Sequence, residues 1–135
     1  MPGNFIEGVK TLIVRELSDV IGSWRHAKGD GWESRRIVLA EDQMGCSLHD
    51  TLVKEGAELH LEYKDHLESN YCIEGEGEVV NVATGEVWPI RPGVMCALNK
   101  HDRQMLRALK GDPGLICAFT PALSGNETHD ANGGY

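Results

Sequence analysis

Two segments carry most of the side chains in this 135-residue chain that can do chemistry. The first runs Tyr63-Lys-Asp-His66-Leu-Glu68-Ser-Asn-Tyr-Cys-Ile-Glu-Gly75-Glu-Gly77, a carboxylate set ahead of a Gly-x-Gly element. The second, Arg91-Pro92-Gly93-Val-Met-Cys96, delivers a thiol just after a Pro-Gly turn. An acid at a strand end, brought beside a soft donor, is how a small β-barrel points a metal ligand or a catalytic acid into its own lumen. A carboxylate, a thiolate and one neutral oxygen or nitrogen suit Fe²⁺ or Zn²⁺. Cys96 as a plain buried thiol is an equally open reading. A third group, Glu127 with His129 in a glycine-rich C-terminal stretch, offers acid/base groups that a flap can bring to a ligand.

The elements that must position these groups read as strands. From Ser34 onward, short runs rich in β-branched and aromatic residues alternate with Gly, Pro, Asn and Asp about every ten residues, the signature of an all-β sandwich or barrel. The runs are 34–41, 46–53, 58–63, 69–74, 78–83, 87–90, 94–98, 103–109 and 114–119, and no segment sustains a helical period, so helix is minor. Glu74-Gly-Glu-Gly77 and Ala83-Thr-Gly85-Glu read as hairpin turns, and Arg91-Pro92-Gly93 as a type II turn. Lys28-Gly-Asp-Gly31 reads as a loop. Residues 1–11 form a leader, 12–121 the barrel and 122–135 a polar tail or lid.

Side chains alternate across a strand, which assigns faces. Leu59, Leu61 and Tyr63 point inward and His60 outward; Val94, Cys96 and Leu98 share one face, as do Gln104 and Leu106. Leu61, Tyr63, Glu68, Cys96 and Gln104 are thereby expected to face one cavity. Ser47, His49 and Thr51 also share a face, opposite Leu48 and Leu52, and the pattern leaves open which is inward. His66 and His101 read as surface or capping residues.

Composition narrows the function classes. Twenty-one acidic against thirteen basic residues give a net charge of −8 with no basic cluster, which argues against nucleic acid or an anionic membrane as partner. No apolar run approaches the length needed to span a bilayer and no signal peptide opens the sequence, so a cytoplasmic location is expected. Cys46, Cys72, Cys96 and Cys117 are scattered without a C-x-x-C pair and read as free.

Seven fragments in order resemble one family. They are Gly31-Trp32-Glu-Ser-Arg-Arg36, Met44-Gly45-x-Ser47-x-His49, Tyr63-x-x-His66-Leu67-Glu68, Gly75-x-Gly77, Arg91-Pro92-Gly93-x-Met95, His101-Asp102 and Gly125-x-Glu127-x-His129-Asp130. On these the chain is similar to the ectoine synthase family of the cupin superfamily, from Leu12 to the tail. The resemblance implies a jelly-roll-like cupin barrel, a cytoplasmic homodimer, and cyclising dehydration of N-γ-acetyl-L-2,4-diaminobutyrate to ectoine, a compatible solute.

It also implies iron held by Glu, Tyr and His, of which Glu68 matches the first while Cys96 and Gln104 occupy the other two places. The pocket positions are kept in type: Trp32, Arg36, Thr51, Tyr63, His66, Phe119, Glu127 and His129. By resemblance, Arg36 pairs with the substrate carboxylate, Trp32 and Phe119 pack its carbon chain, and Tyr63, His66 and Glu127 transfer protons. Exchanging an imidazole for an amide oxygen and a phenolate for a thiol weakens a site for iron or moves it towards a thiophilic metal such as Zn²⁺. Two alternatives follow from that split: a metal-poor cupin that only binds an ectoine-like solute, or a distinct cupin enzyme acting on a related small substrate.

Overall fold

The structure, a computed structural model, describes residues 12–125. Its elements are α1 (Leu17–Val20), β1 (His26–Gly29), β2 (Trp32–Val38), a 3₁₀ turn (Ala40–Asp42), β3 (Ser47–Val53), β4 (Glu58–Leu61), β5 (Leu67–Asn81), β6 (Val87–Ile90), β7 (Met95–Leu98) and β8 (Gln104–Thr120). All eight strands join one antiparallel sheet.

The long pair β5 and β8 is the spine. The first half of β5 and the last half of β8 carry β3, β2 and β1 on one side and β7 on the other. Their remaining halves carry β4 and β6. The sheet is therefore folded across its spine, and the two halves share one core: Val79, Ile90, Leu106 and Leu61 from one, Val53, Cys72, Leu115, Cys117 and Phe119 from the other. The ladder is not closed into a complete barrel, because β6 and β7 both pair with β5 and not with each other.

The fold line is where the expected hairpin at Glu74–Gly77 is corrected. The chain does not reverse there; β5 continues through it as one strand of 15 residues, with register shifts between Cys72 and Gly77. Gly75 has φ +73°, and a Cβ on it would lie 2.7 Å from the Pro113 nitrogen. A Cβ on Gly77 would collide with the Arg107 carbonyl oxygen. The glycines thus let β5 bend against β8 at close approach, and what turn chemistry suggested as a reversal is a bulged kink. The same correction joins 103–109 and 114–119 into the single β8.

The turns at Gly85 and Gly93 form as expected: both have positive φ, and the Val94 N–H donates to the Arg91 carbonyl at 2.9 Å. Lys28–Gly31, expected as a loop, is the end of β1 and its hairpin turn into β2. Helix is limited to α1 and the 3₁₀ turn among the described residues.

On the outer side of β2, Asp42 accepts from Arg15 at 2.7 Å and from Arg25 at 3.1 Å. Burial alone would raise the Asp42 carboxyl, but these hydrogen bonds and the Leu39 N–H hold it down at about 2.

Candidate active-site chamber

The strand registers set the inward residues in transverse rows. One row runs Arg36, His49, Cys117, Asn70, Cys96 across β2, β3, β8, β5 and β7. The adjacent row runs Ser47, Phe119, Glu68, Leu98. Cross-strand neighbours on one face lie within side-chain reach, so residues far apart in sequence become one polar floor set into an apolar core.

This floor opens on a chamber of about 40 Å³ lined by Trp32, Ser34, Thr51, Tyr63, Glu68, Asn70, Cys96, Cys117 and Phe119, with Leu and Val side chains completing the wall. That space holds a few waters or one end group of a ligand. Trp32 reaches it because Gly29 has no Cβ; one there would overlap the indole. Tyr63 meets Phe119 edge-on, with centroids 5.1 Å apart. His60 is exposed and Leu61 and Tyr63 are buried, as the alternation required.

Glu68 is 6% exposed. Burial raises its carboxyl to about 7, against the lowering effect of hydrogen bonds from the Cys117 thiol and Asn70. Its Oε1 is buried with no hydrogen-bond partner among the described residues. Burial first, and the charge of Glu68 second, push the thiols of Cys96 and Cys117 up, Cys117 the more. All four cysteines are free.

The structure settles the β3 faces: Ser47 and His49 are buried and Thr51 lines the chamber. His49 was missed as a site residue because parity alone could not choose its side. Its Nδ1 meets the Ser34 hydroxyl and its Nε2 the Ser47 hydroxyl, each at 3.0 Å, and its ring tilts against Phe119 at 4.9 Å. Ser47 Oγ also accepts from the Leu123 N–H at 3.0 Å. Arg36 is fully buried behind Ser34; its Nε donates to Ser34 Oγ at 3.3 Å and its Nη1 to the Gly125 carbonyl at 2.9 Å. Arg36 therefore tethers the segment that follows β8 and does not itself line the chamber.

His66 is half-buried beside Phe119, with centroids 6.4 Å apart. Its Nδ1 donates to the Pro121 carbonyl at 2.8 Å, since a carbonyl can only accept, which leaves Nε2 as the acceptor of the neutral ring. His101 caps the Tyr63 carbonyl through Nδ1 at 2.7 Å. Gln104 shares the inward parity of Leu106 but lines a neighbouring groove with Cys96, Trp88 and Arg91, not the chamber with Glu68. Glu127 and His129 lie outside the described residues.

A metal held by Glu68, Cys96 and Gln104 does not fit this arrangement. The amide of Gln104 lines the groove, and among the described residues no three His, Cys, Asp or Glu side chains converge closely enough to bind a metal ion. No helix among the described residues is long and apolar enough to cross a membrane.

The family described as ectoine synthase matches residues 12–135. The L-ectoine synthase of Halalkalibacterium halodurans is 52% identical over 122 residues, covering 90% of this chain and 94% of that protein. The crystal structure of ectoine synthase from P. lautus superposes with a TM-score of 0.84 at 43% identity, covering 90% of this chain and 87% of that one. An RmlC-like cupin from Shewanella frigidimarina shares the fold alone, with a TM-score of 0.59 at 20% identity, over 71% of this chain and 81% of its own.

Proposed function

The chain belongs to the ectoine synthase family, and from that premise we propose that it catalyses the cyclising dehydration of N-γ-acetyl-L-2,4-diaminobutyrate to ectoine, as a carbon-oxygen hydro-lyase. The observation that carries the reading is that Trp32, Thr51, Tyr63 and Phe119, kept in type from the family's pocket, line one chamber although they come from four separate parts of the chain.

Ring closure needs the α-amino nitrogen to attack the acetyl carbonyl and a water to leave. That requires a dry, shaped cavity and groups that move protons at its mouth. Trp32 and Phe119 pack the carbon chain and exclude water. Tyr63 lies at the chamber wall and His66 beside Phe119, its Nε2 placed to accept a proton; Glu127, assigned by resemblance, completes the transfer set. Thr51 offers its hydroxyl to the ligand. Arg36 supplies the positive charge for the carboxylate from behind Ser34, and His129 joins the binding set by resemblance. Iron is the family's implied cofactor, but the donors here do not suit it, and no step is assigned to a metal.

We place the reaction in the cytoplasm and in a homodimer. The exposed apolar side chains of Leu12, Val14 and Met44, which border one groove, support association of two copies. A second reading, a binder of ectoine-like solutes without turnover, is favoured by the position of Gln104 outside the chamber.

Incubating the purified protein with the acetylated diamino acid and following ectoine by proton NMR tests the proposal. Ectoine formation that Tyr63→Phe slows at least tenfold, about 1.4 kcal/mol on the barrier, is the expected result. Ectoine binding with no turnover would favour the binder instead.

A further inference from the structure

Among the described residues, Glu68 Oε1 is a buried polar atom at the chamber with no hydrogen-bond partner. A buried carboxylate oxygen without a donor is costly, and such a group calls for a completing partner such as a ligand. Cys117 and Asn70 flank the carboxyl, one on the neighbouring strand and one two residues along β5, and both favour its charged form. The chamber beside it has room for an end group of a few atoms, and the surrounding wall is apolar, so a charged hydrogen bond made there is shielded from water. Neither Cys96 nor Cys117 can neutralise the carboxylate, and no converging set of metal-binding side chains is built around it among the described residues.

What fits is a compact cation bearing N–H donors. We propose that Glu68 binds the cationic nitrogen end of the ligand directly, the ammonium of the substrate or the amidinium of the cyclic product, as a metal-free anchor at the floor of the chamber. Resting on the ectoine-forming reading, this names the atom that recognises the charged end. An amidinium presents two N–H groups in a plane and can donate one to Oε1, in the manner of a guanidinium meeting a carboxylate. Trp32 and Phe119, on the same chamber, flank the ring that carries it. The neutral amide of an uncyclised acetyl group has no charge to match, so the site discriminates by charge as well as shape.

The test is calorimetric titration of the full chain, stripped of metal with chelator and checked by metal analysis, with two probes: ectoine, and acetamidinium as the bare cationic end group. Both should bind the metal-free protein, and Glu68→Gln should weaken both by about 10- to 100-fold. Acetamide, the neutral isostere, should bind weakly to both proteins and be indifferent to the change. Glu68→Asp, which keeps the charge on a shorter arm, should recover part of the affinity, an effect that a merely structural role would not produce.

Equal affinity of Glu68→Gln and the unmodified protein for acetamidinium would overturn the anchor, as would binding of ectoine only after Fe²⁺ is added. If ectoine fails to bind while acetamidinium binds in a Glu68-dependent way, the anchor stands and the ectoine-forming reading falls. If ectoine binds and is formed with Glu68→Gln unaffected, the reverse holds.

Discussion

Arg36 and Gly125 meet across 89 residues of chain, the guanidinium Nη1 donating to the Gly125 carbonyl at 2.9 Å. The contact ties β2 to the segment that follows β8, beside Leu123, which is fully buried. Gly125 has φ +113°, and a Cβ there would lie 2.8 Å from both Leu39 Cδ1 and Trp24 Cζ3. Gly125→Ala should therefore cost about 1–3 kcal/mol through backbone strain and overpacking. Urea unfolding would show it as a lower midpoint at unchanged slope; an unmoved midpoint would mean that the segment is held more loosely than the contact implies.

Removing the other partner probes the binding role. Arg36→Ala should weaken ectoine binding, but by less than the ~1.5–3 kcal/mol of a direct charge-assisted hydrogen bond, because the guanidinium acts from behind Ser34 and does not line the chamber. Calorimetry is the measurement, and unchanged affinity would leave Arg36 as a tether only.

Glu68 gives the protein a pH signature. Its carboxyl stands at about 7 in the fold against 4.5 for the ordinary group, so the native state binds the proton more tightly than the unfolded chain does. Its contribution to stability is fully present below pH ~4.5 and lost as pH rises through about 7. The loss is on the order of 3 kcal/mol. Glu68→Gln should flatten the unfolding free energy across that window; a slope identical to that of the unmodified protein would show Glu68 to be ionised without penalty.

The sequence showed the strands and their faces because period-2 alternation is local: His60 out, Leu61 and Tyr63 in. It misplaced the fold line, because Gly75 and Gly77 look alike whether a chain reverses or kinks, and only the approach of Pro113 and Arg107 decides. His49 was equally out of reach, since Leu48 and Leu52 on the opposite face are no less apolar than a core requires. Gln104 had the right parity, but parity does not say how far along a strand the chamber ends. The pocket residues Trp32, Thr51 and Phe119 were legible only through resemblance, since nothing in their spacing shows that β2, β3 and β8 lie side by side.

The double change Cys96→Tyr with Gln104→His puts a phenolate and an imidazole, hard and nitrogen donors that suit iron, at the two positions where the family's other iron ligands stand, position 104 lining the groove that adjoins the chamber at Cys96. Iron per chain, measured after purification, should rise above that of the unmodified protein. No rise would mean that the backbone at β7 and β8 no longer brings these positions together.

The most direct measurement is the rate of ectoine formation by the unmodified protein, read against its iron content before and after chelation. Ectoine should form with well under one iron per chain, at a rate that chelation leaves unchanged. A rate that falls to zero with the iron, or no ectoine at any metal loading, would contradict it.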